Sequence, residues 1–161
     1  MFDLHLPAKF IGKLLYFFRH GDAEEDHGEG DAARRLTPKG ERQARAAGEA
    51  LAAMGAEIDA CLTSPKVRAA DTARLACEAL RLEPETSDEL RGGRFDSLSL
   101  AAGRGDVLLV GHEPDFSGEV ARLTGAKVKL RKGGLAIVDG STLTALLRPR
   151  DLATLASASA P

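Results

Sequence analysis

Arg19-His20-Gly21 is the first stretch whose residue types can do chemistry together. An unperturbed imidazole titrates at about 6.5 and is largely unprotonated at neutral pH, so a ring nitrogen of His20 can attack phosphorus without a separate base. The adjacent Arg19 guanidinium can hold phosphoryl oxygens and spread the charge that builds up in the transition state. Gly21 permits the close backbone approach that such a turn requires. Two further stretches carry matching residues. Ser64-Pro65-Lys66-Val67-Arg68 puts a second guanidinium one turn into a helix, and the start of a helix itself attracts anions. Gly111-His112-Glu113-Pro114 supplies a second histidine, able to donate to a phosphoryl oxygen or to protonate a leaving group. Each has a plainer reading, Arg68 as a solvent-facing residue behind a helix cap and His112 as a structural strand-end histidine. The joint arrangement of two histidines and two arginines is the stronger signal.

The elements that must position these residues are legible from apolar patterning. Leu14 to Phe18 is a continuous apolar run that stops at Arg19, as expected of a buried strand delivering polar residues at its carboxyl end. Ile58 to Thr63 ends in the same way at Ser64-Pro65, and Val107 to Val110 at Gly111-His112. Between and after them lie three helical patterns, opened by Thr37-Pro38, Ser64-Pro65 and His112-Glu113-Pro114. The first has Ala44, Ala47, Leu51 and Met54 on one face. The second has Ala69, Ala73, Ala76 and Leu80, and the third Phe116, Val120 and Leu123. This β-α-β-α-β-α alternation predicts a three-layer α/β/α sandwich around a mostly parallel sheet, with the ligand site beyond the carboxyl ends of the strands. Residues 134–139 and 141–147 straddle Gly140 and read as a closing hairpin that adds an antiparallel edge strand.

At 161 residues, without an internal linker or repeat, the chain is expected to form one catalytic domain over residues 14–150. Residues 1–13 read as an extension and residues 151–161 as a frayed tail. Charged residues make up 29% of the chain but the net charge is only -2, so nothing at this level points to nucleic acid or a membrane surface. The apolar stretch Phe10 to Phe18 is interrupted by Lys13 and is too short to span a bilayer, which implies a soluble cytoplasmic protein. Cys61 and Cys77 read as small buried hydrophobes of a reducing compartment.

Arg19-His20-Gly21, Leu36-Thr37-Pro38-Lys39-Gly40, Thr63-Ser64-Pro65 with Arg68 and Thr72-Ala73, and Gly111-His112 occur in the order of the motifs of the histidine phosphatase superfamily (branch 1). The chain resembles that family from about Leu14 to Val138. Within it, Asp22-Ala23, Asp31 with Arg34-Arg35, and the short length are similar to the SixA-type phosphohistidine phosphatases. The resemblance implies a phosphoglycerate-mutase-like fold and a phosphatase in which His20 is the transiently phosphorylated nucleophile. It implies that Arg19 and Arg68 bind phosphoryl oxygens beside Gly21, that His112 completes the pocket, and that water hydrolyses the phosphohistidine intermediate. The implied partner is a phosphorylated protein, such as a histidine phosphotransfer protein, met by a monomer with phosphate or sulfate fitting the site.

One departure has chemical meaning. Larger mutase-like members carry a glutamate acid in an insertion between the second and third core strands, whereas here the interval from Ala79 to Asp106 holds little beyond a short helix at Asp96 to Ala102. Expelling imidazole asks less of a proton donor than expelling an alkoxide, so P–N cleavage suits such a site better than P–O cleavage. Asp22, Glu89 and Glu113 remain candidate acids. No cofactor or metal is expected. Glu24, Glu25, Asp26, Glu29 and Asp31 read as a flexible loop, His5 and His27 as solvated, and Lys127, Lys129, Arg131 and Lys132 as protection on an edge strand. Two other readings stay open: a broad phosphomonoesterase of small metabolites, and a non-catalytic phosphate-binding module.

Overall fold

The computed structural model describes residues 13–158. Six strands, β1 (Leu14–Arg19), β2 (Ala60–Thr63), β3 (Glu85–Thr86), β4 (Val107–Gly111), β5 (Leu135–Asp139) and β6 (Thr142–Leu147), form one sheet in the order β3-β2-β4-β1-β5-β6. The pairs β1/β4, β4/β2 and β2/β3 are parallel, while β1/β5 and β5/β6 are antiparallel. Five helices connect and cover the strands: α1 (Pro38–Ala53), α2 (Val67–Leu80), α3 (Ser97–Ala101), α4 (Asp115–Thr124) and α5 (Pro149–Ala158). Among the described residues no helix is long and apolar enough to cross a membrane.

The two-residue period of the strands divides the interior into two cores. Tyr16 and Phe18 of β1, with Leu108 and Val110 of β4, pack under α1, α2 and α5. Leu15 and Phe17, with Val107 and Leu109, pack on the opposite face under α3 and α4. Both Phe17 and Phe18 are fully buried, and each contributes roughly 1.5–3 kcal/mol by leaving water. The alanine-rich faces of α1 and α2 allow close packing, and a Cβ on Gly48 of α1 would collide with the Ala76 carbonyl of α2. The three-layer sandwich is thus the expected one.

Several details differ from the sequence reading. The segment expected to fray is helical through Ala158, with Leu152 fully buried in the core below α1. Its start is built locally: Pro149 is the first helical residue, and Asp151 Oδ2 accepts from the Arg148 amide at 2.8 Å. The closing hairpin across Gly140 is present as expected, and both of its strands, β5 as well as the edge strand β6, pair antiparallel. The basic stretch from Lys127 to Lys132 belongs to no strand; its alternating charges bracket Leu130, which is buried and pins a loop. Met54 caps α1 and is exposed instead of joining the inward face, and α2 begins at Val67, beyond the Ser64-Pro65 turn. The extension and His5 lie outside the described residues, Lys13 excepted.

Candidate active site

Three neighbouring strand ends build the site. Arg19 at the end of β1 is in register with Gly111 at the end of β4, and Thr63 at the end of β2 is in register with Val110. The next residues, His20, His112 and Ser64, therefore emerge side by side. The His20 amide donates to the Gly111 carbonyl at 3.1 Å, and the two imidazole rings lie 5.3 Å apart. Ser64 Oγ is 2.8 Å from His112 Nε2. Arg68 enters from the first turn of α2, and all four side chains are buried.

The turn after β1 is held by glycine contacts. A Cβ on Gly21 would come within 2.6 Å of the Gly40 carbonyl oxygen, and one on Gly40 would collide with Asp22. The start of α1 is thereby pressed against the turn, where Thr37 caps it by accepting from the Gly40 amide at 3.1 Å. The Gly21 amide donates to Thr72 Oγ1 at 3.1 Å, and that hydroxyl donates to the Arg68 carbonyl at 2.7 Å.

Hydrogen bonding fixes how each ring is presented. His20 Nδ1 donates to the Gly21 carbonyl at 2.7 Å, which leaves the lone pair on Nε2, and Arg68 Nε approaches that atom at 3.3 Å. Burial is the largest cause that lowers the His20 pKa to about 4; the guanidiniums of Arg68, Arg19 and Arg34 add to it against the Gly21 hydrogen bond. His20 is consequently a neutral imidazole whose unprotonated Nε2 accepts from Arg68 Nε. Burial likewise takes His112 down to about 3, assisted by His20, Arg68 and Lys66. Ser64 Oγ accepts from the Lys66 amide at 3.1 Å and can give its own proton to His112 Nε2. In that tautomer the remaining proton sits on Nδ1.

Among the described residues two buried side-chain nitrogens have no hydrogen-bond partner, His112 Nδ1 and Arg19 Nε. Unsatisfied buried donors are costly, and a pair of them at one site points to a ligand bearing acceptor oxygens. Arg19 is anchored through Nη1 to the Leu130 carbonyl at 3.0 Å. Arg68 is more fully engaged, with Nη1 on the Asp31 carbonyl at 2.8 Å and Nη2 on Asp31 Oδ2 at 3.1 Å.

Asp31 and Lys66 are members of this cluster to which sequence reasoning gave no role. Lys66 Nζ lies 3.1 Å from Asp31 Oδ2, and Arg34 reaches the other carboxylate oxygen at 3.0 Å. The hydrogen bond from Arg34, followed by those from Lys66 and Arg68, holds the Asp31 carboxyl well below the usual range. Asp31 is brought in by a short 3-10 turn at Asp31–Ala33, a loop conformation without a periodic signal. Its proximity to Arg34-Arg35 in sequence was the visible hint.

The candidate acids fare differently. Asp22 accepts from Thr37 Oγ1 at 2.8 Å and faces Lys132 Nζ at 3.7 Å, so its carboxylate is tied. Glu113 accepts from the Ser117 amide at 2.7 Å at the start of α4, within electrostatic reach of Arg19. Glu89 is exposed and makes no hydrogen bond or salt bridge to the site residues. In the acidic loop Asp26 Oδ1 accepts from the Gly28 and Gly30 amides, and His27 is exposed. Among the described residues no group of His, Cys, Asp or Glu is arranged to hold a metal ion.

A family model described as the histidine phosphatase superfamily (branch 1) matches residues 15–101, which contain Arg19, His20 and Arg68. The chain belongs to this superfamily. An uncharacterized protein of Picosynechococcus sp. is 38% identical over 136 residues, covering 75% of this chain and 81% of the relative. Among solved structures, a SixA protein of Agrobacterium tumefaciens superposes with a TM-score of 0.77 at 26% identity, over 86% of this chain and 99% of that one. The protein histidine phosphatase SixA complexed with tungstate gives 0.75 at 27% identity, over 86% and 99%. The histidine phosphatase fold here is therefore of the SixA type, phosphoglycerate-mutase-like in architecture. His112 lies beyond the residues matched by the family model and joins the site through the β1/β4 pairing.

Proposed function

We propose that the chain is a phosphohistidine phosphatase acting on proteins, with His20 as nucleophile. The observation that carries this reading is the pairing of a neutral His20, whose unprotonated Nε2 faces the site and accepts from Arg68 Nε, with two orphaned buried nitrogens, His112 Nδ1 and Arg19 Nε. A phosphoryl group beside His20 would give both donors an oxygen, and Arg68 Nε, already 3.3 Å from Nε2, a third contact. That a SixA relative of this fold is complexed with tungstate, an oxyanion of phosphate size, supports an oxyanion as the ligand.

In the first step the His20 Nε2 lone pair forms a bond to phosphorus as the bond to the leaving group breaks in line. The leaving ring of a phosphohistidine takes a proton from solvent on its remote nitrogen and departs as neutral imidazole. In the second step water attacks phosphorus, the bond to Nε2 breaks, and inorganic phosphate leaves. His112 stays neutral at working pH and donates through Nδ1 to stabilise charge on the phosphoryl oxygens. Asp22 and Asp31 are both engaged as carboxylates, which matches a leaving group that needs no strong acid. Asp31 shares Arg68 and Lys66 with any incoming phosphoryl group and screens these cations between turnovers.

The deciding experiment compares phosphate release from a phosphohistidine-bearing protein and from an aryl phosphate. The proposal expects strong preference for the phosphoprotein by wild type; faster aryl phosphate turnover would make the chain a broad phosphomonoesterase. Tight phosphate binding without turnover of either would make it a recognition module.

A further inference from the structure

Six exposed cations, Lys39, Arg42, Arg131, Lys132, Arg148 and Arg150, come from three separate segments but gather on one side of the site. The topology explains why. Since β5 runs antiparallel to β1 and β6 antiparallel to β5, the start of β5 and the end of β6 lie at the same sheet edge as His20. Arg131 and Lys132 precede β5, Arg148 and Arg150 follow β6, and Lys39 and Arg42 stand in the first turns of α1, which Gly40 presses against the His20 turn. Gln43 joins these parts: its Oε1 accepts from the Asp22 amide at 2.9 Å while its side chain lies against Gly133. The Gly133 amide in turn donates to the carbonyls of Arg19 and His20.

Between α1 and α5 this surface opens into a groove of about 620 Å3, flanked by Lys39, Arg42 and Arg150 and floored by Ala46, Pro149 and Ala153, with Glu49 at its border. Arg150 also borders an adjoining recess with Arg131 and Arg148. Lys132 is paired with Asp22, and Arg148 with Asp151, but Lys39, Arg42, Arg131 and Arg150 make no salt bridge among the described residues. Lys39 and Arg150 even sit in the first turns of their helices, where the helix dipole disfavours a cation, so local stability does not account for them. Across the catalytic turn the opposite charge prevails, with Glu24, Glu25, Asp26 and Glu29 exposed on one loop.

We propose that this basic groove is the docking surface for the substrate protein, and that it selects partners whose phosphorylated residue is flanked by an acidic surface with small apolar contacts. This rests on the phosphoprotein reading above. A net-acidic chain that concentrates unpaired cations on one side of the site, opposite an acidic loop, both attracts such a partner and orients it. An apolar floor without aromatic side chains suits a protein element better than nucleic-acid bases, which call for stacking platforms.

The test uses an R42E/R131E/R150E variant, whose changes lie outside the catalytic cluster. Substrates are an acidic histidine-phosphotransfer domain and a lysine-rich histone, both phosphorylated on histidine, together with free phosphoramidate. The groove predicts that the variant loses about tenfold or more in kcat/KM on the acidic domain, chiefly through KM at low salt, with phosphoramidate turnover unchanged. An unchanged kcat/KM on the acidic domain, or an equal loss on phosphoramidate or the histone, would overturn docking.

Should wild type turn over no phosphoprotein, the catalytic reading fails, and docking is judged by binding of the unphosphorylated acidic domain. Weakening of about tenfold in the variant upholds the surface, while equal binding overturns it. Tighter, variant-sensitive binding of an RNA oligomer, or self-association abolished by the same substitutions, would assign the groove to another occupant and overturn it too.

Discussion

The ends of β1 and β4 present the same kind of residue in opposite ways. At the end of β1, His20 is tied by Nδ1 to the next carbonyl and offers Nε2; at the end of β4, His112 is tied by Nε2 to Ser64 and offers Nδ1. Burial keeps both rings neutral, yet one has its lone pair toward the site and the other, in the tautomer Ser64 allows, its proton. In the proposed mechanism, therefore, the hydrogen-bond partners of the two rings set which histidine would attack and which would support. Two adjacent parallel strands can thus supply a nucleophile and an oxyanion donor from a single residue type.

The largest expected effect comes from removing the attacker. His20→Ala is expected to lower kcat by roughly 10^4-fold or more in steady-state phosphate release, because it removes the unprotonated nitrogen that would bond to phosphorus. His112→Ala removes a donor but no bond-forming atom, so kcat falls by about 10^2 to 10^3-fold while binding of substrate persists. Equal losses for both variants would break the distinction drawn between the two rings. A smaller effect is expected of Ser64→Ala, which acts through His112. Freed from its hydroxyl partner, the His112 ring loses its fixed orientation, and kcat falls by about tenfold with little change in KM. Recovery in Ser64→Thr, which restores the hydroxyl, would mark Ser64 as a positioning residue.

Acidity sharpens the same comparison. With His20 at about 4 in the folded enzyme, the acid limb of kcat/KM measured by stopped-flow lies near that value and not near an ordinary histidine's. Stability moves with it. Both histidines have folded pKa values below their unfolded ones, about 4 and about 3, so the unfolded chain binds more protons once the pH drops below the ordinary histidine range. The stability that is fully present above about pH 6.5 therefore declines as the pH falls toward 4. Denaturant titrations at several pH values should show the decline, and His112→Asn should lessen it.

The strand ends were legible because each is an apolar run that stops abruptly at polar residues, and Pro38 marked the first helix. Arg19, His20 and His112 were legible with them, since register brings those ends together, and Arg68 follows from the first turn of the helix after β2. The roles of Asp31 and Lys66 were not, because a loop returning over the sheet leaves no periodic trace. The last helix was hidden by an Ala/Ser composition that resembles a tail, although Pro149, Asp151 and Leu152 supply a start, a cap and a buried anchor. The stretch from Lys127 to Lys132 misled in the opposite direction. Its charge alternation mimics a strand, while what holds it is the burial of Leu130, whose carbonyl receives Arg19, with Val128 packed against the same core.

The central claim is that His20, and not His112, carries the phosphoryl group between the two steps. Rapid acid-free quenching of the enzyme during turnover of a phosphohistidine-bearing protein, followed by peptide mass spectrometry, tests it directly. The expected result is a phosphoryl group on the peptide containing His20, attached through Nε2 and absent from His20→Ala. A label on His112, or full-rate phosphate release with no labelled enzyme at any time point, would contradict the account.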